Sequence, residues 1–413
     1  MRARDLRASG NEASLNEENV RSLRRRGIFS SMSDLEQELA ALSPALRASL
    51  EARGFSKDLW IELGASLRSG DPATRRKSRN QIRGEVRAPE AADLVEVQSL
   101  PNRDALKARG EEILRRGEVA FAVMAGGMAT RMGGVVKSLV EVAGGLDFLG
   151  CRLRESVVQE ERYGKAIPLW LMTSLPSHEA TTDALKKRGV PPSVQTFEQG
   201  VGLRFSMDGG LFRDPNTHEP SLYATGHGDL VDALRRSGLL QAFRKAGGKY
   251  VWIANVDNLG ANVDPTLLGW FAGEQERGKK AMVEVCEKHD GDKGGIPVYA
   301  DGALQVLEEF RLPETFRAET VRVFNTNTFL VDAEALENVE VKWNWFEVEK
   351  SVGTQKTIQF ERLLQEITAF LPTTYAKVSR APGTSRFLPV KDNEELLRRK
   401  DEITDVLRGR GVV

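Results

Sequence analysis

Four stretches of this chain carry side chains whose types and spacing could do chemistry. The first is AGGMATRMGGVVKSL, residues 125–139, which follows the apolar run VAFAVMA (119–125). Gly126 and Gly127 leave a strand there without Cβ atoms, so the backbone can approach a ligand and aim its N–H groups at it. Arg131 and Lys137 place two cations close by. A strand, a glycine turn, then Arg and Lys suit a nucleoside triphosphate, although the spacing is neither that of the phosphate loop nor that of the dinucleotide fingerprint. A purely structural turn is the plain alternative.

The second stretch is WIANVDNLGANVDP (252–265), an apolar strand ending in Asn255 and Asp257. Ligand sites in open α/β sheets lie beyond the carboxyl ends of strands. A carboxylate there can hold Mg²⁺, which takes oxygen ligands and shares them with phosphates; it can equally cap a turn. The third is ATGHGDL (224–230), where His227 lies between two glycines with little apolar packing around it, so ligand contact competes with a core role. The fourth is SRFLPVK (385–391). Taken alone, Lys391 reads as a surface residue.

These groups need a scaffold. After about residue 105, short apolar runs alternate with helical patterns, which predicts an α/β sheet. Strands are expected at 119–125, 167–174, 249–257, 280–287, 296–300 and 321–331. The first four are nearly continuous apolar, as strands covered on both faces should be. Helices are expected at 152–163, 177–189, 228–244 and 357–370, and from the Asp264 N-cap and Pro265 to about Gln275. The segment 372–413 reads as short and mixed. Upstream, Leu35, Leu39, Leu42, Leu46 and Leu50 form one helical stripe, with Ser33 as its N-cap. Residues 71–90 read as a basic, solvated linker and residues 1–30 as loosely ordered. The division expected is 1–105, a helical N-terminal region; 106–371, the catalytic core; and 372–413, a short segment carrying Lys391.

Composition narrows the class. With 59 basic and 59 acidic residues, no net field favours nucleic acid or a membrane surface, so an anionic ligand must be met by local cations. Two cysteines, Cys151 and Cys286, predict no disulfide framework and fit a reducing compartment. No apolar run follows the basic N-terminus, and none reaches the roughly 18 residues of a membrane span. A cytoplasmic protein is expected. Oligomeric state is not legible.

Together, GGMATRMGGVVKSL, LMTSLPSHEAT, TFEQG, TGHGDLVDALRRSGLL, WIANVDNLGANVD, KGGIPVYADGALQVLEEFRLP, VFNTNTFLV, TIQFERLLQEI and SRFLPVK resemble the eukaryotic-type UDP-glucose pyrophosphorylases, over roughly residues 118–396. The resemblance implies a Rossmann-like nucleotidyltransferase core with a mixed, largely parallel sheet. It implies uridylyl transfer from UTP to glucose-1-phosphate, giving UDP-glucose and pyrophosphate, with Mg²⁺ as cofactor. It also implies roles. Gly126 and Gly127 would hold the nucleotide, and Arg131, Lys137 and Lys391 would meet the phosphates. Gln199 and Gly226 would read the uracil edge, and His227 would lie near the α-phosphate. Asn255, Gly295, Glu308, Asn325 and Asn327 would contact the sugar, and Asp257 would hold the metal.

The chain departs from this family at two loop positions. Val136 stands where the family has Pro before the loop lysine, and Ala129 where Gly is common. If Ala129 needs positive φ it carries strain; without Pro the lysine loop is less restricted. The chain ends 22 residues after Lys391, so the family's β-helix domain is expected to be absent or vestigial. Two alternatives remain: another sugar-1-phosphate (galactose or an N-acetylhexosamine), and a non-catalytic UDP-sugar sensor.

Overall fold

The computed structural model describes residues 34–413; the N-cap expected at Ser33 and the loose start expected over residues 1–30 lie outside them. Eight strands form the central sheet: β1 (Leu94–Glu96), β2 (Val119–Met124), β3 (Leu169–Thr173), β4 (Val194–Glu198), β5 (Tyr250–Asn255), β6 (Ala281–Glu287), β7 (Val323–Asp332) and β8 (Thr373–Lys377). Their order is β1-β8-β6-β7-β5-β2-β3-β4. All neighbours are parallel except β7, which runs antiparallel to both β5 and β6. The sheet is thus mixed and largely parallel. β2 and β3 are buried along their whole length, and β5 and β6 at every residue but the last, because helices cover both faces. On one face the helices Arg103–Arg115 and Pro265–Glu276 cross so closely that a Cβ at Gly110 would lie 1.8 Å from the Pro265 carbonyl oxygen.

The periodicity that predicts strands finds β2, β3, β5, β6 and β7, and the run 296–300. That run pairs elsewhere, in a small sheet with Val86–Arg87 and Ala303–Leu307. It does not find β1, β4 or β8. β1 has three residues, while β4 and β8 carry Gln, Thr, Glu and Lys at positions where an apolar run would show. β1 and β8 extend the sheet on either side of residues 106–371.

Three expectations need correction. The helix expected over 357–370 is instead a strand, Gln355–Glu361, hairpinned to Phe346–Val352, followed by a 3₁₀ turn, Leu364–Ala369. Ile358 and Phe360 share one face of that strand, where alternation and tertiary burial override helical spacing. The basic linker at 71–90 contains a helix, Pro72–Asn80, capped by Asp71. It is docked by Arg75, whose guanidinium forks onto Glu347 at 3.0 and 2.9 Å. The single helix expected over 228–244 is two, Leu230–Arg236 and Leu239–Lys245, broken at Gly238, whose φ is 74°.

The leucine stripe lies on two successive helices, Asp34–Ala40 and Pro44–Ala52, with Leu42 in the turn between them; a third helix, Lys57–Ser66, follows. Leu35, Leu39, Leu42 and Leu50 join Trp60, Phe205 and Phe360 in a second apolar cluster, with Leu46 packed at its edge. The last helix, Asn393–Gly409, packs Ile403, Val406 and Leu407 into the main core.

Candidate active site

β5, β2, β3 and β4 run parallel and adjacent, so their carboxyl ends share one edge. That edge gathers Asp257, Gly126, Ser174 and Gln199 from four separate loops. Ser174 Oγ donates to the Gly126 carbonyl at 2.6 Å. A Cβ at Gly126 would lie 2.7 Å from Gln199 Nε2 and 3.2 Å from the Ser174 Cβ, so the glycine is what lets these loops close together.

Beyond Gly127 the chain makes a small hairpin, Met128–Ala129 against Val135–Val136, turning through Gly133 and Gly134 at positive φ. Lys137 N donates to the Gly127 carbonyl at 3.1 Å, which seats Lys137 back over the glycine turn. Its ammonium pairs with Asp257 Oδ2, both side chains being mostly buried. Neither loop departure carries strain. Ala129 has φ −79°, outside the glycine region. Val136 has φ −64°, the value a proline ring would impose. Arg131 lies in the 3₁₀ turn Thr130–Met132 of the same hairpin; its side chain is outside those described.

A second group forms where antiparallel β7 begins. The register between β6 and β7 shifts at Glu284/Val285. The resulting bulge puts Asn327 at φ 58°, a left-handed conformation that Asn tolerates. Asn325 Oδ1 accepts from Asn327 N at 2.9 Å, and Asn327 Nδ2 donates to Asn255 Oδ1 at 3.1 Å. Asn325 N donates to the Gly295 carbonyl at 2.7 Å. A Cβ at Gly295 would lie 3.3 Å from Glu308 Oε1, which itself accepts from Gln365 Nε2 at 2.6 Å. Burial raises the Glu308 carboxyl above the ordinary glutamate value. Asn327 Oδ1 and Gln365 Oε1 are buried acceptors with no partner among the described residues.

The turn Leu364–Ala369 joins this group to the glycine–histidine loop. Leu364 N donates to His227 Nδ1 at 3.0 Å, which leaves the ring proton on Nε2. Burial pushes His227 down to about 4, so the ring is neutral near pH 7. Gly226 has φ 94°, and a Cβ there would meet the Arg362 carbonyl at 2.5 Å. Thr225 N donates to the Gly200 carbonyl at 3.3 Å, beside Gln199.

All the expected positions except Lys391 and the undescribed Arg131 side chain are therefore tied into one contact network. Lys391 is exposed, and its ammonium makes no hydrogen bond or ion pair with any described residue. Its segment is tethered to the site through the backbone and through the Arg386 side chain. Asn258, next to Asp257, accepts from Leu388 N at 2.8 Å and donates to the Arg386 carbonyl at 3.2 Å.

Several contributors are not legible from residue type. Asp229, the last residue of GHGD, is fully buried between Gly200 N and the Arg362 guanidinium and clamps the loop. Arg386 forks onto Glu284 at 2.8 and 2.6 Å. Both lie inside the quoted motifs, which was the available signal; their partners are distant in sequence.

Comparison with known proteins adds an independent line. The family model described as UTP–glucose-1-phosphate uridylyltransferase matches residues 72–411. The chain belongs to that family. A uridylyltransferase of this name from Encephalitozoon cuniculi is 29% identical over 300 residues, covering 70% of this chain and 58% of that protein. One from Astragalus penduliflorus is 31% identical over 299 residues, covering 69% and 62%. The chain thus spans about three fifths of the length of these relatives. Among solved structures, a UDP-glucose phosphorylase of Trypanosoma brucei superposes with TM-score 0.67 at 24% identity, covering 86% of this chain and 77% of that one. A UDP-N-acetylglucosamine pyrophosphorylase from the same organism gives 0.69 at 20%, covering 94% and 85%. These two likenesses establish a shared fold.

Proposed function

We propose that the protein transfers the uridylyl group of UTP to glucose-1-phosphate, releasing pyrophosphate and forming UDP-glucose. The observation that carries this reading is the Lys137–Asp257 pair, set between a glycine turn on one side and an Asn/Glu cluster on the other. A phosphate oxygen of glucose-1-phosphate bonds to the α-phosphorus of UTP. The bond from that phosphorus to the bridging oxygen breaks, and pyrophosphate carries the electron pair away. The attacking oxygen is already ionised, so no protein nucleophile is needed. What opposes reaction is repulsion between two polyanions, which position and positive charge relieve.

Each group then has a task. The backbone at Gly126 and Gly127 receives the nucleotide phosphates. Gln199 and Gly226 face the uracil. Lys137, Arg131 and Lys391 supply cations, Lys391 from a segment tethered at Asn258. His227 offers its Nε2–H as a neutral donor. Asn255, Gly295, Glu308, Asn325 and Asn327 line the sugar end. An unpaired buried acceptor costs about 1–3 kcal/mol, and sugar hydroxyls would satisfy Asn327 Oδ1 and Gln365 Oε1.

Asp257 would hold Mg²⁺. The donor set fits: its carboxylate already accepts one cation, the Lys137 ammonium, and no cluster of three metal-ligating side chains occurs among the described residues. Such a site suits an ion that takes most of its ligands from phosphates and water. When bound, Mg²⁺ would neutralise phosphate charge. Both cysteines are buried free thiols, which supports a reducing, cytoplasmic setting. Among the described residues no helix is long and apolar enough to cross a membrane.

The relaxed backbone at Ala129 and Val136 supports turnover over a sensor role. Incubation with UDP-glucose, Mg²⁺ and labelled pyrophosphate separates the two. Label appearing in UTP supports transfer. UDP-glucose binding without labelled UTP would identify a sensor.

A further inference from the structure

The loop that follows Asp257 is held by arginines along its whole length. Five consecutive carbonyls, those of Asn258, Leu259, Gly260, Ala261 and Asn262, each accept from a guanidinium. Arg152 donates to Asn258 and Ala261, both at 2.7 Å. Arg410 donates to Leu259 at 2.8 Å and Gly260 at 2.6 Å. Arg386 donates to Asn262 at 2.9 Å. Arg152 also reaches Asn255, at the end of β5, at 3.3 Å.

Three guanidiniums so close would repel without counter-charge. Glu155 bridges Arg152 at 2.9 Å and Arg410 at 3.3 Å, and Glu284 takes the fork of Arg386. A guanidinium presents donors from separate nitrogens in a rigid plane and so fixes the directions of two neighbouring carbonyls, whereas an ammonium is a single point whose donors rotate. The arrangement therefore specifies backbone position as well as charge.

Arg410 differs from the other two in where it comes from. It directly follows the helix Asn393–Gly409, which also packs on the strand Glu141–Ala143, shortly after the turn that carries Lys137. A Cβ at Gly144 would lie 3.1 Å from Val413. The C-terminal segment thus touches the loop that follows Asp257 and the strand that follows the Lys137 turn.

We propose that Arg410 is a positioning residue: by fixing the Leu259 and Gly260 carbonyls, it holds Asp257 in place against Lys137. The proposal rests on the uridylyl-transfer reading above. Its test compares wild type with R410A and R410K by two measurements. One is amide exchange in peptides covering 255–262, with 119–124 as the core reference. The other is Mn²⁺ binding in the presence of UTP, followed by electron paramagnetic resonance. R410K keeps the charge and the aliphatic stem but loses the rigid pair of donors, and it is the variant read if R410A does not fold. Exchange is expected to rise over 255–262 and stay unchanged over 119–124. Mn²⁺ binding is expected to weaken about 10-fold, the usual effect of losing a partner that orients a metal ligand. Wild-type exchange and Mn²⁺ affinity in a folded variant would overturn the proposal, and so would exchange rising equally in both peptides. If the wild type moves no label between pyrophosphate and UTP, the transfer reading fails, while the exchange result still reports on Arg410.

Discussion

At the scale of single residues, Asp257 stands at the centre of the account. Its carboxylate meets Lys137 across the edge of the sheet. Asp257→Asn keeps the shape and removes the charge, so turnover should fall by about 10²–10³, the range seen when one preorganised electrostatic group is lost. Steady-state kinetics at saturating Mg²⁺ check this, and an unchanged rate would remove Asp257 from the chemistry. The Lys391 ammonium has no partner among the described residues, so Lys391→Ala should lower turnover while changing stability by no more than about 0.5 kcal/mol. Kinetics together with urea unfolding read both; wild-type turnover would detach the segment from the site. His227 gives a pH signature. Its value in the folded protein, about 4, lies below the unfolded histidine value of about 6.5. Between those two, the unfolded chain binds more protons, so stability falls as pH drops from about 6.5 toward 4. Urea unfolding at pH 7 and pH 5 should show wild type losing of order 1 kcal/mol more than His227→Gln; equal losses would mean the ring is not held neutral. Residue types in the sequence point to Asp257, Lys137 and His227. They do not reveal Asp229 or Arg386, whose meaning depends on distant partners: Glu284 is 102 residues from Arg386.

Among the elements, the lysine hairpin shows why the two loop departures are tolerated. Val136 stands in a non-hydrogen-bonded pair with Met128, flanked by the bond from Lys137 N to the Gly127 carbonyl. Its φ already suits proline, and its N–H is not used in the ladder. Val136→Pro should therefore fold and gain up to about 1 kcal/mol through a stiffer unfolded chain. Thermal unfolding checks this, and a clear loss of stability would mean that the N–H is needed. The strands with continuous apolar runs were legible because burial on both faces writes itself into composition. The strand Gln355–Glu361 was not, since Thr357, Ile358, Phe360 and the following leucines fit helical spacing equally well. What decides is the packing of Ile358 and Phe360 against Trp60 and Phe205, a contact between segments that local periodicity cannot report.

At the scale of the molecule, the two apolar clusters among the described residues divide the work. The larger one fixes the sheet whose edge carries Asp257, Gly126 and Gln199. The smaller one joins the N-terminal helices to the hairpin 346–361, and through it to Arg362 and Leu364, which hold the glycine–histidine loop. Trp60 is its hub. It packs on Phe55 and Trp345 at 4.7 and 5.5 Å between ring centroids and donates to the Leu203 carbonyl at 2.9 Å. Trp60→Ala should cost about 3–5 kcal/mol and weaken UDP-glucose binding although no catalytic group is touched. Urea unfolding and calorimetric titration read the two effects; a loss below about 1 kcal/mol would contradict the hub role. The neutral overall charge gives no global field, and each cation near the loop after Asp257 is paired with a carboxylate: Lys137 with Asp257, Arg152 and Arg410 with Glu155, and Arg386 with Glu284. The measurement that tests the central claim most directly is pyrophosphate release from UTP and Mg²⁺, in parallel with glucose-1-phosphate, galactose-1-phosphate, N-acetylglucosamine-1-phosphate and no sugar phosphate. The account predicts release that requires glucose-1-phosphate and stops when a chelator removes the metal. No release with any sugar phosphate, from folded protein that still binds UDP-glucose, would contradict it.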